Sequence, residues 1–184
     1  KLLDIGPGDE VIIPTIHFVG AAQAGIAVGA KPVFCDVDGR TLNTNTELVQ
    51  EKTTKRTRCV VLNHYGGIPC DDIYVMQSYC DALDIKLIED AANAQASIYN
   101  NQTVGTFGDI GVWSFDAMKI ITTGDGGMMY IRGPKLAAKA RKMLYLGTSS
   151  ESGLSSNADK WWEFEIDVPG ARRSAMNDVA ASLG

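Results

Sequence analysis

Two charged residues stand where a buried charge would need a partner. Lys119 lies between the strand-like run "DIGVWSF" and a glycine-rich turn, and Asp90 ends the apolar run "IKLIED". A carboxylate at the end of a buried strand is costly unless it holds a cation or hydrogen-bond donors. A desolvated lysine favours the neutral amine, which is the form that condenses with a carbonyl group. The two residues together predict a site for carbonyl chemistry.

Two further residues indicate which cofactor such a site would use. Ser114 ends the run before Lys119, where its hydroxyl can donate to a phosphate, and Phe18 follows the run "EVIIP" with an aromatic face. Pyridoxal 5′-phosphate (PLP) requires a lysine amine, an acid at its ring nitrogen, donors for its phosphate and an aromatic plate. The sequence therefore predicts a PLP site that includes Lys119, Asp90, Ser114 and Phe18.

The elements that would position these residues alternate between strands and helices. Short runs rich in Val and Ile predict buried strands, and the segments between them carry apolar residues at helical spacing. Asn45 and Asp71 are predicted to cap two of the helices. Because parallel strands need helical crossovers, we expect an α/β fold: a mostly parallel sheet with helices on both faces, in three layers. The predicted strands are "EVIIP", "KPVFCDV", "RCVVLNH", "IKLIED", "DIGVWSF" and "GGMMYI".

The remaining residues at strand ends are not predicted to form a metal site. Ligands of open α/β sheets collect beyond the carboxyl ends of the strands, where His17 and His64 also fall. The four cysteines lack CxxC spacing, and only these two histidines could join them. We interpret both histidines as hydrogen-bonded strand-end residues and predict no metal. The polar, serine-rich stretch over residues 147–160 is predicted to be a loop.

The composition argues against nucleic-acid and membrane partners. The chain has 184 residues and a formal net charge of −5, with an isoelectric point near 5.0. Nucleic acids and anionic membranes bind clusters of Lys and Arg, which displace counterions. No apolar run reaches the roughly 20 residues of a membrane span, and no signal-peptide pattern opens the sequence. We expect a cytoplasmic protein whose ligands are small molecules.

Five segments resemble, in order and spacing, the nucleotide-sugar aminotransferases of the DegT/DnrJ type. The resemblance implies the aspartate-aminotransferase fold, PLP, and transfer of an amino group, usually from L-glutamate, to a keto group on a nucleotide-linked deoxy sugar. It also implies a role in deoxysugar or lipopolysaccharide biosynthesis and a homodimer with active sites between subunits. The segments are "GDEVIIPTIHFVGAAQAGIAVGAKPVFCDVD", "NHYGGIPCDD", "LIEDAANAQAS", "VGTFGDIGVWSFDAMKIITTGDGGMMY" and "PGARRSAMNDVAASLG".

The resemblance assigns a role to each candidate residue. Lys119 in "SFDAMK" matches the family's cofactor-attached lysine, and Asp90 in "EDAA" matches the acid that pairs with the pyridine nitrogen. Phe18 matches an aromatic that stacks on one face of the ring, and Asn93 matches a position against the ring, often His or Gln. Ser114 matches a phosphate donor. Relatives with histidine in place of the lysine are dehydratases, so Lys119 favours transamination.

A sixth residue is assigned to the neighbouring subunit's site. Arg173 lies where the family commonly has an asparagine that reaches the phosphate of the partner's cofactor. The segment "GARRSAMND" is one residue longer than the usual spacing at this point. The apolar pair Trp161 and Trp162 suggests either a subunit contact or core packing.

The resemblance covers essentially the whole chain but only part of a typical family member. We expect residues 1–184 to form the central part of the PLP-binding large domain, without the upstream phosphate-holding turn and without the small C-terminal domain. Two functions remain open. One is a PLP-dependent sugar aminotransferase, and the other is a truncated relative that folds and self-associates without turnover.

Overall fold

The computed structural model describes residues 1–148 and 166–183. Most of the predicted serine-rich loop, together with Trp161 and Trp162, lies outside these ranges. Within them the chain forms eight strands: β1 (Glu10–Pro14), β2 (Lys31–Cys35), β3 (Thr57–Asn63), β4 (Lys86–Asp90), β5 (Ile98–Tyr99), β6 (Gln102–Thr103), β7 (Ile110–Ser114) and β8 (Gly127–Ile131).

Six of these strands form one sheet, in the order β2-β1-β3-β4-β7-β8. The first five are mutually parallel, and β8 pairs antiparallel with β7 at one edge. The mostly parallel sheet confirms the predicted fold class. It also places the carboxyl ends of β1, β3, β4 and β7 along a single edge, called the carboxyl edge below.

Between the strands run helices whose limits agree with the sequence pattern to within a few residues. No helix in the described ranges is long and apolar enough to cross a membrane. The α-helices in these ranges are α1 (Gly20–Ala27), α2 (Thr46–Lys52), α3 (Ile73–Ala82), α4 (Pro134–Leu144) and α5 (Asp178–Leu183).

Helices cover both faces of the sheet. On one face Ala21 of α1 packs in a cluster with Val61 of β3. On the other face Val49 of α2 and Met76 of α3 pack in a cluster with Val60. Val60 and Val61 enter different clusters because successive side chains of a strand point to opposite faces. The predicted three-layer arrangement is therefore confirmed.

One of the two predicted helix caps is present and the other is wrong. The Asn45 side chain accepts a hydrogen bond from the Leu48 amide at 2.9 Å, which is the expected N-cap of α2. Helix α3 is preceded by Asp72 rather than Asp71, and Asp72 makes no capping bond to its own helix. Its carboxylate instead accepts from the Thr46 amide at 2.6 Å, so it ties α3 to the start of α2.

A small hairpin was not predicted. Strands β5 and β6 pair antiparallel through a two-residue turn. The turn residues Asn100 and Asn101 have φ values of 47° and 64°, the left-handed conformation that a type I′ hairpin turn requires. Asparagine tolerates this conformation better than most residues. The pair "NN" was therefore the sequence feature that could have predicted this hairpin turn.

The buried carboxylate of Glu89 joins β4 to the turn that precedes β7. Its Oε2 accepts from His64 Nε2 at 3.0 Å and from the Gly105 amide at 2.7 Å. Its Oε1 accepts from the amides of Phe107 and Gly108, both at 2.6 Å. The other ring nitrogen of His64 accepts from the Cys70 amide at 3.2 Å, so the hydrogen of this imidazole is on Nε2. Four donors thus surround a carboxylate that has no exposed side-chain surface.

We predict that Glu89→Gln lowers the free energy of unfolding by about 2–5 kcal/mol, because each buried donor left without an acceptor costs about 1–3 kcal/mol. The side-chain NH2 group of the introduced glutamine would face backbone N–H groups that need an acceptor. Urea denaturation measures the change. The matched control is Glu51→Gln, the same substitution at an exposed position of α2, which should stay within about 0.5 kcal/mol of the unsubstituted chain. Equal stability of the two variants would contradict the assigned role of Glu89.

Candidate active site

Four of the predicted site residues lie at the carboxyl edge or in the loops that leave it. Asp90 is the last residue of β4, and Ser114 is the last residue of β7, which pairs with β4. Phe18 lies between β1 and α1, and Lys119 lies in the loop between β7 and β8. The parallel sheet therefore gathers residues that are far apart in sequence.

Asp90 is a fixed and ionised acid. Its Oδ1 accepts from the Ala92 amide at 2.9 Å, and its Oδ2 lies 3.1 Å from His17 Nε2. Burial opposes the charge, but the contacts with His17 and the Ala92 amide and the nearby charge of Lys119 outweigh it, so the pKa of Asp90 is lowered. A carboxylate held in this state can keep a protonated ring nitrogen in place.

His17 is a neighbour of Asp90 that sequence reasoning placed in a purely structural role. Its side chain is only 4% exposed, and its Nδ1 lies 2.7 Å from the carbonyl oxygen of Phe18. Its position after β1 was visible in the sequence. The carboxylate that it contacts was not, because that contact depends on the order β1-β3-β4 in the sheet.

Lys119 contacts Asn93, another predicted site residue. Its Nζ donates to Asn93 Oδ1 at 3.1 Å. The loop that carries the lysine is shaped by Asp116, whose carboxylate accepts from the Met118 amide at 2.9 Å and whose carbonyl accepts from the Lys119 amide at 2.9 Å. The lysine side chain is half-buried. The desolvated setting expected from the sequence is therefore only partly present in this chain.

Ser114 is held by a residue that sequence reasoning missed. Gln95 Nε2 donates to the carbonyl oxygens of Ser114 and Ala92, both at 2.9 Å. It thereby connects the end of β7 to the turn after Asp90. The Ser114 hydroxyl oxygen accepts from the Asp116 amide at 3.3 Å, so its hydrogen remains available to a ligand. Only the pairing of β4 with β7 shows that Gln95 can reach this strand.

Phe18 presents an aromatic ring to an apolar groove. Its side chain is 79% exposed. The groove, with a volume of about 460 Å³, is lined by Phe18, Asp90 and apolar side chains of α1 and the sheet, including Ile88 and Val112. Asp90 is thus the acidic group beside an exposed aromatic plate.

Arg173 is not brought to this group of residues. Its guanidinium carbon lies 5.7 Å from the centroid of the Tyr145 ring, and its backbone bridges to Tyr145. Among the described residues, its recorded contacts do not reach Lys119, Asp90 or Ser114. A role at a partner's phosphate therefore remains a prediction.

The residues at the carboxyl edge fit PLP. Lys119 is an accessible amine, Asp90 is an ionised acid, Ser114 has a free hydroxyl hydrogen, and Phe18 is an exposed ring. Each corresponds to one requirement of the cofactor: attachment, ring-nitrogen protonation, phosphate donation and stacking. Asn93 is well placed to orient the amine.

Comparison with known proteins gives consistent results. The sequence matches the DegT/DnrJ/EryC1/StrS aminotransferase family over residues 1–184. It is 46% identical, over 100% of its length and 48% of the relative's, to a dTDP-4-dehydro-2,3,6-trideoxy-D-glucose 4-aminotransferase from Saccharopolyspora spinosa. It superimposes on the crystal structure of the aminotransferase TlmJ from Streptoalloteichus hindustanus with a TM-score of 0.89 and 52% identity, covering 99% of this chain and 46% of that one.

A further structure bears on the cofactor. The PLP-form of Spr1654 from Streptococcus pneumoniae matches with a TM-score of 0.81 and 26% identity, over 100% of this chain and 49% of that chain. The chain spans about half the length of the relatives that it matches. The family match extends over every segment that carries the candidate residues, and the chain belongs to the DegT/DnrJ/EryC1/StrS aminotransferase family.

Proposed function

We propose that this chain provides the PLP-binding part of an aminotransferase that transfers an amino group from L-glutamate to a keto group on a nucleotide-linked deoxy sugar. The observation that carries the proposal is the joint placement of Lys119, Asn93 and Asp90 at the carboxyl edge. Ligands of open α/β sheets bind at this edge. A homodimer in the cytoplasm, acting in deoxysugar or lipopolysaccharide biosynthesis, is part of the same proposal.

The side chains divide the chemistry among them. Lys119 supplies the amine to which the cofactor attaches, and Asn93 orients that amine through the 3.1 Å contact. Asp90 would hold a proton on the ring nitrogen of the cofactor. When bound, PLP supplies an electron sink for negative charge that develops at the α-carbon of the amino donor. Lys119, once displaced by the donor, would be the group that takes up and returns the proton of that α-carbon.

The class of acceptor is supported by the relatives. The Saccharopolyspora spinosa relative acts on a dTDP-linked keto sugar by its name. A relative from Acidithiobacillus ferrooxidans, 40% identical over 184 residues, is a UDP-N-acetyl-3-dehydro-alpha-D-glucosamine 3-aminotransferase. These names differ in nucleotide, sugar and ring position but share a keto group on a nucleotide-linked sugar. We therefore propose that chemical class for this protein.

We predict that PLP added to the purified chain attaches selectively to Lys119. Reduction with borohydride followed by peptide mass spectrometry should place the pyridoxyl group on this residue, because its amine lies beside the groups that bind the cofactor. L-Glutamate added before reduction should decrease the label, because the donor displaces the lysine. Lys119→Ala should abolish the site-selective label.

The control for this experiment is Lys135→Ala, which removes an exposed amine near the start of α4 and should keep the label on Lys119. Labelling spread evenly over surface lysines would contradict the proposal. Selective labelling that L-glutamate leaves unchanged would favour the other function, a relative that binds the cofactor without turnover.

We predict that Ser114→Ala weakens binding of PLP by about 10- to 100-fold, because one charge-assisted hydrogen bond to the phosphate is lost. Binding of pyridoxal, which lacks the phosphate, should be unchanged. Absorbance titration measures both affinities. The matched control is Ser78→Ala on the exposed side of α3. An equal loss for both ligands would show that Ser114 does not contact the phosphate.

A further inference from the structure

The two histidines of the chain make similar contacts through Nε2 but differ in the neighbour of Nδ1. Each places Nε2 near a carboxylate, at 3.0 Å from Glu89 for His64 and at 3.1 Å from Asp90 for His17. In His64, Nδ1 accepts a hydrogen bond from the Cys70 amide. A neutral ring with its hydrogen on Nε2 therefore satisfies both of its neighbours.

In His17 the neighbour of Nδ1 is an acceptor instead. Nδ1 lies 2.7 Å from the carbonyl oxygen of Phe18, and a carbonyl oxygen can only accept. The hydrogen of a neutral ring would therefore be on Nδ1. Nε2 would then turn a lone pair toward a carboxylate oxygen, and these two groups repel each other.

Water does not resolve this conflict. The His17 side chain is 4% exposed, and its Nε2 is buried without a well-aligned hydrogen-bond partner. The contact with Asp90 is thus short but is not a linear hydrogen bond. It is attractive if Nε2 also carries a hydrogen and the ring is an imidazolium.

We propose that His17 is a positioning residue of the site: at neutral pH it is an imidazolium that keeps Asp90 ionised and holds it in one orientation. Its action on the cofactor would pass through Asp90, so that part of the inference rests on the proposed function. The charge state proposed for His17 does not depend on the proposed function.

The surrounding charges agree with this assignment. Burial lowers the pKa of His17, but Asp90 and the Phe18 carbonyl outweigh burial and the pKa is raised. The pKa of Asp90 is lowered despite burial, chiefly by His17 and then by the Ala92 amide and Lys119. The other charged residue along the adjoining groove is Lys1. The ion pair therefore stabilises the fold between the two pKa values and is lost outside that window.

The experiment is a ¹⁵N NMR titration of the cofactor-free, 184-residue chain, which contains only two histidines. His17 should carry hydrogens on both nitrogens at pH 7, and its titration midpoint should lie above that of a free histidine. His64 should carry a hydrogen on Nε2, the nitrogen that faces Glu89. In Asp90→Asn the midpoint of His17 should fall below that of a free histidine, because burial then acts without the opposing carboxylate.

His64 also reports whether the variant is folded, since its tautomer depends on contacts with β4 and with Cys70. If Asp90→Asn does not fold, the titration of the unsubstituted chain decides the question alone. A neutral His17 at pH 7, or a midpoint that Asp90→Asn leaves unchanged, would overturn the proposal.

A second measurement connects the pair to the cofactor. His17→Gln retains a donor but removes the positive charge, so Asp90 should take up a proton at a higher pH. Binding of PLP, followed by absorbance, should then be lost at a higher pH during acidification than in the unsubstituted chain. If PLP binding is lost at the same pH in both chains, the role of His17 toward the cofactor is overturned. Failure of PLP to bind at any pH would instead refute the proposed function and leave the NMR result to decide the charge of His17.

Discussion

The buried charge of Glu89 is the constraint on which the rest of the site depends. Glu89 and Asp90 are consecutive in β4, so their side chains point to opposite faces of the sheet. Glu89 is placed inside, where four donors surround it, and a carboxylate stripped of water needs all of them. A shift of β4 by one residue would turn Glu89 to the other face and leave these donors without their acceptor. Asp90 would then be buried in place of Glu89. The register that satisfies Glu89 is thus the register that presents Asp90 to a ligand.

The backbone of the turn that binds Glu89 also packs closely against β7. The turn bonded to Glu89 lies so near this strand that a Cβ on Gly111 would stand 1.7 Å from the Gly105 carbonyl oxygen. Gly105 itself has a φ of +91° and lies against the ring of Trp113. Only glycine meets both demands. The turn and β7 therefore dock without a gap, and the end of β7 brings Ser114 to the edge where β4 ends.

Local signals were sufficient for most of the fold. The apolar runs, the helical spacing and the Asn45 cap are short-range features, and the strands and helices follow them closely. Contacts made across the sheet were harder to predict. The pairing of His17 with Asp90 depends on strand order, and the bonds of Gln95 to two carbonyls depend on the neighbouring positions of β4 and β7. The cap assigned to Asp71 failed because Asp72, the next residue, bonds to another helix.

The antiparallel edge strand has a consequence for motion. Because β8 returns beside β7, the lysine loop is the tip of a hairpin rather than a crossover between parallel strands. Strand β8 is also poorly buried in this chain: Met128 is 54% exposed. Segments with little burial open locally at low free-energy cost while the rest of a domain stays folded. Strand β8 can therefore detach from the outer side of β7 and swing the amine of Lys119 away from Asn93, while the five parallel strands and the carboxylate of Asp90 stay in place.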